Sequence, residues 1–173
     1  LFYLEDPVAP ENIEWLKLIR QQTSTPIGMG ELFTNVNEYK SLIANQQIDF
    51  IRCHVSFIGG ITPAKKLAAF SELYGVRTAW HGPADISPVG VAANLHLDLS
   101  TPNFGIQEWT PFNDALQEVF PGCPVVENGF AYVSDRPGLG IDIDEEKAKK
   151  FPVTGGIPSW TLARTPDGTA VRP

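Results

Sequence analysis

Cysteine is scarce in this 173-residue chain: only Cys53 and Cys123 occur, far apart and without metal-type spacing. A disulfide framework is left without support, and a reducing, cytoplasmic setting is expected. No apolar run approaches the ~18–20 residues of a membrane-spanning helix, so no membrane partner is expected. The opening residues lack the basic stretch and long apolar core of a secretory leader. Leu1-Phe2-Tyr3-Leu4, without an initiator methionine, reads instead as the middle of a strand. Positive charge is short as well: 13 Lys and Arg stand against 20 Asp and Glu, giving a net charge of −7 and a pI near 4.9. That balance argues against nucleic acid as a partner. By itself the acid excess is equally explained as solubility charge. With 43% hydrophobic residues and 19% charged, the composition is that of a globular domain with a sizeable core, not of a disordered chain.

What is present is an alternation of short apolar runs and amphipathic stretches. Residues 1–5 read as a strand. A helix over 11–22 follows, with Trp15, Leu18 and Ile19 on one face. Residues 26–31 form a second strand. Asn35 with Glu38 has capping-box spacing for a helix whose inner face is Val36, Tyr39, Leu42 and Ile43. Residues 48–57 give a third strand, ended by Gly59-Gly60, and Thr62-Pro63 signals the next helix start. Residues 76–80 are a fourth strand; Ser87-Pro88 caps another helix; residues 104–109 are a fifth strand. Strands separated by helices imply right-handed βαβ units and a parallel sheet. After Pro111 the pattern changes to a short helix over 114–120, a strand or hairpin within 124–134 and a helical turn over 144–150. Val125, Val126, Phe130, Tyr132 and Trp160 need packing partners there, so this tail is expected to wrap an existing domain.

An ionisable residue ends each expected strand: Glu5, Glu31, Arg52 with His54, His81, and Glu108. Glu5, Glu31, His54, His81 and Glu108 recur at intervals of 23 to 27 residues, the length of one βα unit. They therefore collect at the carboxyl edge of the sheet, where (β/α)₈ barrels build active sites and open sheets bind ligands. A charge at a buried strand end is costly unless paired or bound to metal. Glu5 and Glu31, on neighbouring strands, suit a hard divalent cation such as magnesium. An acid satisfied by a nearby Arg or Lys, or a glycosidase carboxylate pair, are the competing explanations. A phosphate-binding open sheet fits less well, because Gly28-Met29-Gly30-Glu31 puts an acid where phosphate would approach. His96 and Trp80, Trp109 and Trp160 read as packing residues, with Trp160 also placed to close the site from the tail.

Leu4-Glu5-Asp6-Pro7, Gly28-Met29-Gly30-Glu31, Gly59-Gly60-Ile61-Thr62 and Trp80-His81-Gly82-Pro83 occur in order at barrel spacing. Together they resemble consecutive barrel strands of the enolase superfamily, most closely its D-mannonate dehydratase group, which includes proteins labelled starvation-sensing. The resemblance continues through Pro166-Asp167-Gly168-Thr169. It implies an α/β fold of TIM-type (β/α) barrel, of which residues 1–112 are the C-terminal half. Residues 113–173 would be a tail packing on the barrel and a capping domain. It further implies Mg²⁺ as cofactor, with Glu5 and Glu31 as the second and third metal ligands. Arg52, His81, Asp85 and Glu108 match positions that hold the sugar acid, and Glu31 also reaches it. His54 stands where mandelate racemase relatives carry an Asp that orients a catalytic His. His81 is therefore expected to act as a hydrogen-bonding or proton-shuttling catalytic group, not as the sole base.

The activity so implied is that of a lyase. The proton alpha to a carboxylate is removed and the neighbouring hydroxyl leaves as water, giving a 2-keto-3-deoxy sugar acid. The alternatives are gluconate or another acid sugar as substrate, since Pro83 lies in a loop where the family varies, or a low-activity regulatory relative that binds a sugar acid. The resembling dehydratases also use an Asp ligand with a His two residues later, a Tyr from an earlier strand, and an N-terminal capping domain. None of these has a counterpart here. A full barrel takes ~250 residues. The segment is thus expected to need the missing N-terminal half of the same polypeptide, and to bind metal poorly and turn nothing over alone. A homo-oligomer is expected because relatives form symmetric assemblies.

Overall fold

Four short strands lie parallel and side by side in chain order: β1 (Leu4–Glu5), β2 (Ile27–Met29), β3 (Phe50–Ile51) and β4 (Arg77–Thr78). The computed structural model describes residues 1–153 and 155. Trp160 and the 166–169 motif lie outside the described residues. Parallel neighbours need crossovers, and these are α1 (Leu16–Arg20), α2 (Val36–Ala44) and α3 (Ile61–Leu73), with α4 (Pro88–Leu99) after β4. Glu5 pairs with Gly28, Gly28 with Phe50, and Phe50 with Arg77. Alternation along each strand then divides the side chains. Ile27, Met29, Ile51 and Cys53 are buried against Leu16, Leu42, Ile43 and Leu67 of the helices. The opposite, inner face carries Tyr3, Glu5, Gly28, Phe50 and Arg52.

Local signals explain the better-formed helices. Asn35 accepts from the Asn37 N–H, and Glu38 reaches back to the Asn35 N–H, closing the expected capping box. Ser87 caps α4 through the Gly90 N–H. Beyond α4 come α5 (Asp114–Val119), the antiparallel pair β5 (Val125–Glu127) and β6 (Phe130–Tyr132), and α6 (Glu145–Ala148). Asn128 and Gly129 both have positive φ, as a tight two-residue hairpin turn requires. Ala131 and Val133 pack with Trp109 and Phe112 on Ile86, Val91 and Leu95, so the hairpin leans on α4.

Several sequence expectations need correction. The 11–22 helix begins as a 3₁₀ turn over Pro10–Trp15 with a kink at Asn12, which shifts its phase. Ile13, Leu16 and Ile19 face the core, while Trp15 and Leu18 are exposed. Val36, at the first position of α2, is exposed as well. The third strand is cut short because Phe57 and Ile58 both donate to the His54 carbonyl, turning the chain there. Helix α3 is capped at Gly60 (φ 97°) without a side-chain cap, and Thr62-Pro63 lies inside it. The fifth strand is reduced to one bridge, Thr78 to Phe104. Gly105 and Ile106 both donate to the Thr78 carbonyl, and two residues against one break the ladder.

One polar staple sits at the amino end of the sheet. Asp49 accepts from Arg20 at 2.6 and 2.8 Å and from the Ile27 N–H at 2.8 Å, joining α1, β2 and the approach to β3. Asp49→Ala leaves the Ile27 N–H without its acceptor, so a loss of about 2 kcal/mol is expected from urea unfolding. An unchanged midpoint would show the staple to be idle.

Candidate metal and proton-transfer site

Arg52, just past β3 on the inner face, is completely buried. Its Nε donates to the Tyr3 hydroxyl at 3.1 Å. Nη1 meets Asp6 at 2.9 Å and Glu31 at 3.2 Å; Nη2 meets Glu5 and Glu108, each at 2.9 Å. Five N–H groups thus face five side-chain oxygens, the geometry for which a planar guanidinium is suited. Burial alone would lower the Arg52 pKa, but Tyr3, Glu108, Glu5 and Asp6 around it raise it, so the group stays charged. Gly28 makes the packing possible: a Cβ there would lie 2.8 Å from the Tyr3 ring and 3.2 Å from Arg52 Cδ.

Asp6 belongs to this cluster although the strand pattern hides it. A residue following Glu5 should point to the opposite face, but Asp6 adopts φ 34° and swings its carboxylate back beside Glu5. Its two oxygens are taken by Arg52 and the Gly30 N–H, the latter at 2.9 Å. Burial raises its pKa despite both partners. Glu5, Asp6 and Glu31 bring carboxylate oxygens within 4.8 Å of one another. Among the described residues, the second oxygens of Glu5 and Glu31 have no protein partner. Four carboxylates around one guanidinium leave a formal charge of −3. Oxygen donors and that charge suit a hard divalent cation, so these residues fit magnesium.

His81 stands beside the ring. Its Nδ1 lies 2.7 Å from Glu108 Oε2 and 3.2 Å from Arg52 Nη2. One ring nitrogen cannot donate to the first and accept from the second. The shorter contact with a carboxylate fixes the proton on Nδ1 and leaves Nε2 as the acceptor. Burial alone would raise the Glu108 pKa, but the hydrogen bonds from His81 and the Gly82 N–H and the positive charge of Arg52 hold it down to about 2. Glu108 is therefore an ionised orienting group at neutral pH.

The remaining candidates lie to one side. His54 is buried, stacks on Phe57 at 4.3 Å and meets the His81 ring edge-on at 5.7 Å. Burial, with His81 nearby, lowers its pKa, so it is neutral. Its Nδ1 is 2.7 Å from Ser56 Oγ. Asp85 is exposed on the loop after His81 and stands outside the carboxylate ring. Glu5, Glu31, Arg52, His81 and Glu108 are thus brought together, and Asp85 is not among them. Tyr3 and Asp6 were not singled out by the sequence pattern. Asp6 lies within the Leu4-Glu5-Asp6-Pro7 motif, the one sequence signal that points to it.

The family model for enolase C-terminal domain-like proteins matches residues 1–147. A D-galactonate dehydratase family member from Salmonella virchow is 78% identical over 173 residues, covering all of this chain and 42% of the relative. One from Musicola paradisiaca is 76% identical with the same coverage. The crystal structure of an enolase from Pantoea ananatis with bound D-gluconate and magnesium matches at a TM-score of 0.92 and 74% identity, over all of this chain and 42% of that one. A mandelate racemase/muconate lactonizing enzyme from Jannaschia sp. CCS1 matches at 0.82 and 32%, over 90% of this chain and 39% of that one. This chain spans about two fifths of the length of the curated relatives it matches.

Proposed function

The chain belongs to the enolase C-terminal domain-like family, and on that premise we propose that it carries part of the active site of a magnesium-dependent acid-sugar dehydratase. Its strands are those of the C-terminal part of the family's barrel. The observation that carries the proposal is the acidic ring at the carboxyl edge, where, among the described residues, Glu5 and Glu31 each keep one oxygen free of protein partners. Those two oxygens would hold the cation. When bound, magnesium would supply the positive charge that stabilises an enolate formed alpha to the substrate carboxylate.

This chain's own residues then divide the work. Arg52 fixes the four carboxylates and keeps their mutual repulsion in check. Glu108 holds the His81 ring and its tautomer, so Nε2 is available to accept or return a proton at the substrate. Arg52 and Glu31 would border the acid group, and Asp85 would meet a more distant part of the sugar. The first metal ligand and the remaining acid–base groups would come from other parts of a longer polypeptide, consistent with the two-fifths coverage of relatives.

For the substrate, a gluconate- or galactonate-type aldonate has more support than mannonate. The D-gluconate in the Pantoea ananatis structure and the D-galactonate family names favour it. The test is to supply the full-length protein with Mg²⁺ and each of the three acids, following the 2-keto-3-deoxy product by NMR. Product from gluconate or galactonate in excess of that from mannonate is expected. No product from any acid sugar would refute the dehydratase reading.

A further inference from the structure

Alternation along residues 78–82 turns the backbone groups of Thr78, Trp80 and Gly82 toward the 104–110 segment, and those of Ala79 and His81 toward β3. On the β3 side the ladder is ordinary: the Ala79 and His81 N–H groups donate to the Ile51 and Cys53 carbonyls at 3.0 and 3.2 Å. On the other side it lasts for one residue. Thr78 donates to the Asn103 carbonyl and accepts from Gly105 and Ile106. Past that bulge, no backbone bond joins the two segments among the described residues.

Side chains take over there. Gln107 Nε2 donates to the Trp80 carbonyl at 3.2 Å and to the Glu108 carbonyl at 2.7 Å. Both neighbours of that amide are carbonyl oxygens, which fixes its NH₂ as the group facing them. The Gly82 N–H donates to Glu108 Oε2 at 2.9 Å, and Thr110 Oγ1 donates to the Gly82 carbonyl at 3.1 Å. Gly82 permits the approach, since a Cβ there would overlap the Glu108 carbonyl and lie 3.1 Å from Gln107 Nε2. The His81 carbonyl is a related case. β3 turns away at His54, and Asn94 Nδ2 of α4 donates to His81 at 3.3 Å instead. Three successive carbonyls, of Trp80, His81 and Gly82, thus each accept from a different side chain. The register held in this way decides where the His81 ring points, because Glu108 Oε2 grips its Nδ1 at 2.7 Å from across the broken ladder. A bulge beside a site re-aims side chains, and here it leaves their final placement to Gln107 and Thr110.

We propose that Gln107 and Thr110 are positioning residues for His81: they hold its main chain in register with Glu108, which fixes the proton on Nδ1 and leaves Nε2 for the substrate. These roles rest on the acid-sugar reading and deepen it by assigning residues that act through His81. The test uses the full-length protein with Mg²⁺ and the variants Gln107→Met, Thr110→Val and Thr110→Ser. Methionine and valine keep the shape and lose the donor, whereas serine keeps the hydroxyl. Turnover, kcat, should fall at least about tenfold in Gln107→Met and severalfold in Thr110→Val, as expected for a reacting group displaced by about 1 Å. KM should stay within about threefold, because Arg52 and the carboxylate ring are untouched. Thr110→Ser should keep most of the wild-type kcat. Without any substrate, nitrogen NMR of the neutral His81 ring should show the proton on Nδ1 in the wild type and a mixture of tautomers in Gln107→Met and Thr110→Val. Thr110 is partly exposed, so its valine variant keeps the test decisive even where Gln107→Met fails to fold. Unchanged kcat and ring signals in the folded variants overturn the proposal, as does an equal loss in Thr110→Ser. A wild type that makes no product from any acid sugar overturns the acid-sugar reading, and the ring signals then decide the positioning roles by themselves.

Discussion

Arg52→Met should destabilise the protein by about 3–5 kcal/mol at neutral pH, the range for removing one partner from a buried ionic cluster. The guanidinium is wholly buried and meets four carboxylates at 2.9–3.2 Å. Methionine supplies neither the charge nor the hydrogen bonds of the guanidinium, and leaves four partly exposed carboxylates facing one another. The loss should also depend on pH. With Arg52 present, Glu108 is held at about 2, below its ordinary 4.5. Its stabilising contribution is therefore complete above about pH 4.5 and fades as pH falls toward 2. Without Arg52 the carboxylates take up protons more readily, so the gap between variant and wild type should narrow as the solution is acidified. Added Mg²⁺ should recover part of the loss at neutral pH, because a cation can replace the missing charge. Urea unfolding at neutral and acidic pH, with and without Mg²⁺, reads all three effects. A variant as stable as wild type at neutral pH would mean that Arg52 does not hold the ring.

Asp98→Asn should act in the opposite direction. Asp98 is buried near the end of α4, and neither carboxylate oxygen has a partner among the described residues. Burial raises its pKa from 3.8 to about 8. Between those values the folded state binds more proton than the unfolded state, so the contribution of Asp98 to stability falls as pH rises through that window. At ~1.4 kcal/mol per pKa unit, the penalty at pH 7 is about 4 kcal/mol. Asparagine keeps the shape and does not ionise. The variant should therefore match wild type near pH 4 and exceed it by up to about 4 kcal/mol at pH 7. A variant no more stable than wild type at pH 7 would show that Asp98 has found a partner in the protein.

The sequence made some of this legible and hid the rest for identifiable reasons. Strand-end residues were readable because one βα unit sets their spacing, which is how Glu5, Glu31, Arg52, His81 and Glu108 emerged together. Caps at Asn35 and Ser87 were readable because the side chain itself makes the bond. Asp6 was hidden by its left-handed φ, which reverses the facing that alternation dictates. The Tyr3 bond to Arg52 depends on the absence of a side chain at Gly28, a packing fact with no periodic trace. Asn94 and Asp98 are masked by the apolar character of α4, where a buried polar residue looks like a break in pattern instead of a feature. The strand lengths were overestimated because apolar runs continue past the last ladder hydrogen bond into turns such as the one at His54.

A calorimetric Mg²⁺ titration of the full-length protein shows whether the second carboxylate oxygens of Glu5 and Glu31, unpartnered among the described residues, hold the cation. Glu5→Gln and Glu31→Gln should each weaken binding by at least about tenfold, equivalent to ~1.4 kcal/mol, while Asp49→Ala, at the far end of the sheet, leaves it unchanged. Unaltered Mg²⁺ affinity in both glutamine variants would mean that these two carboxylates do not hold the cation.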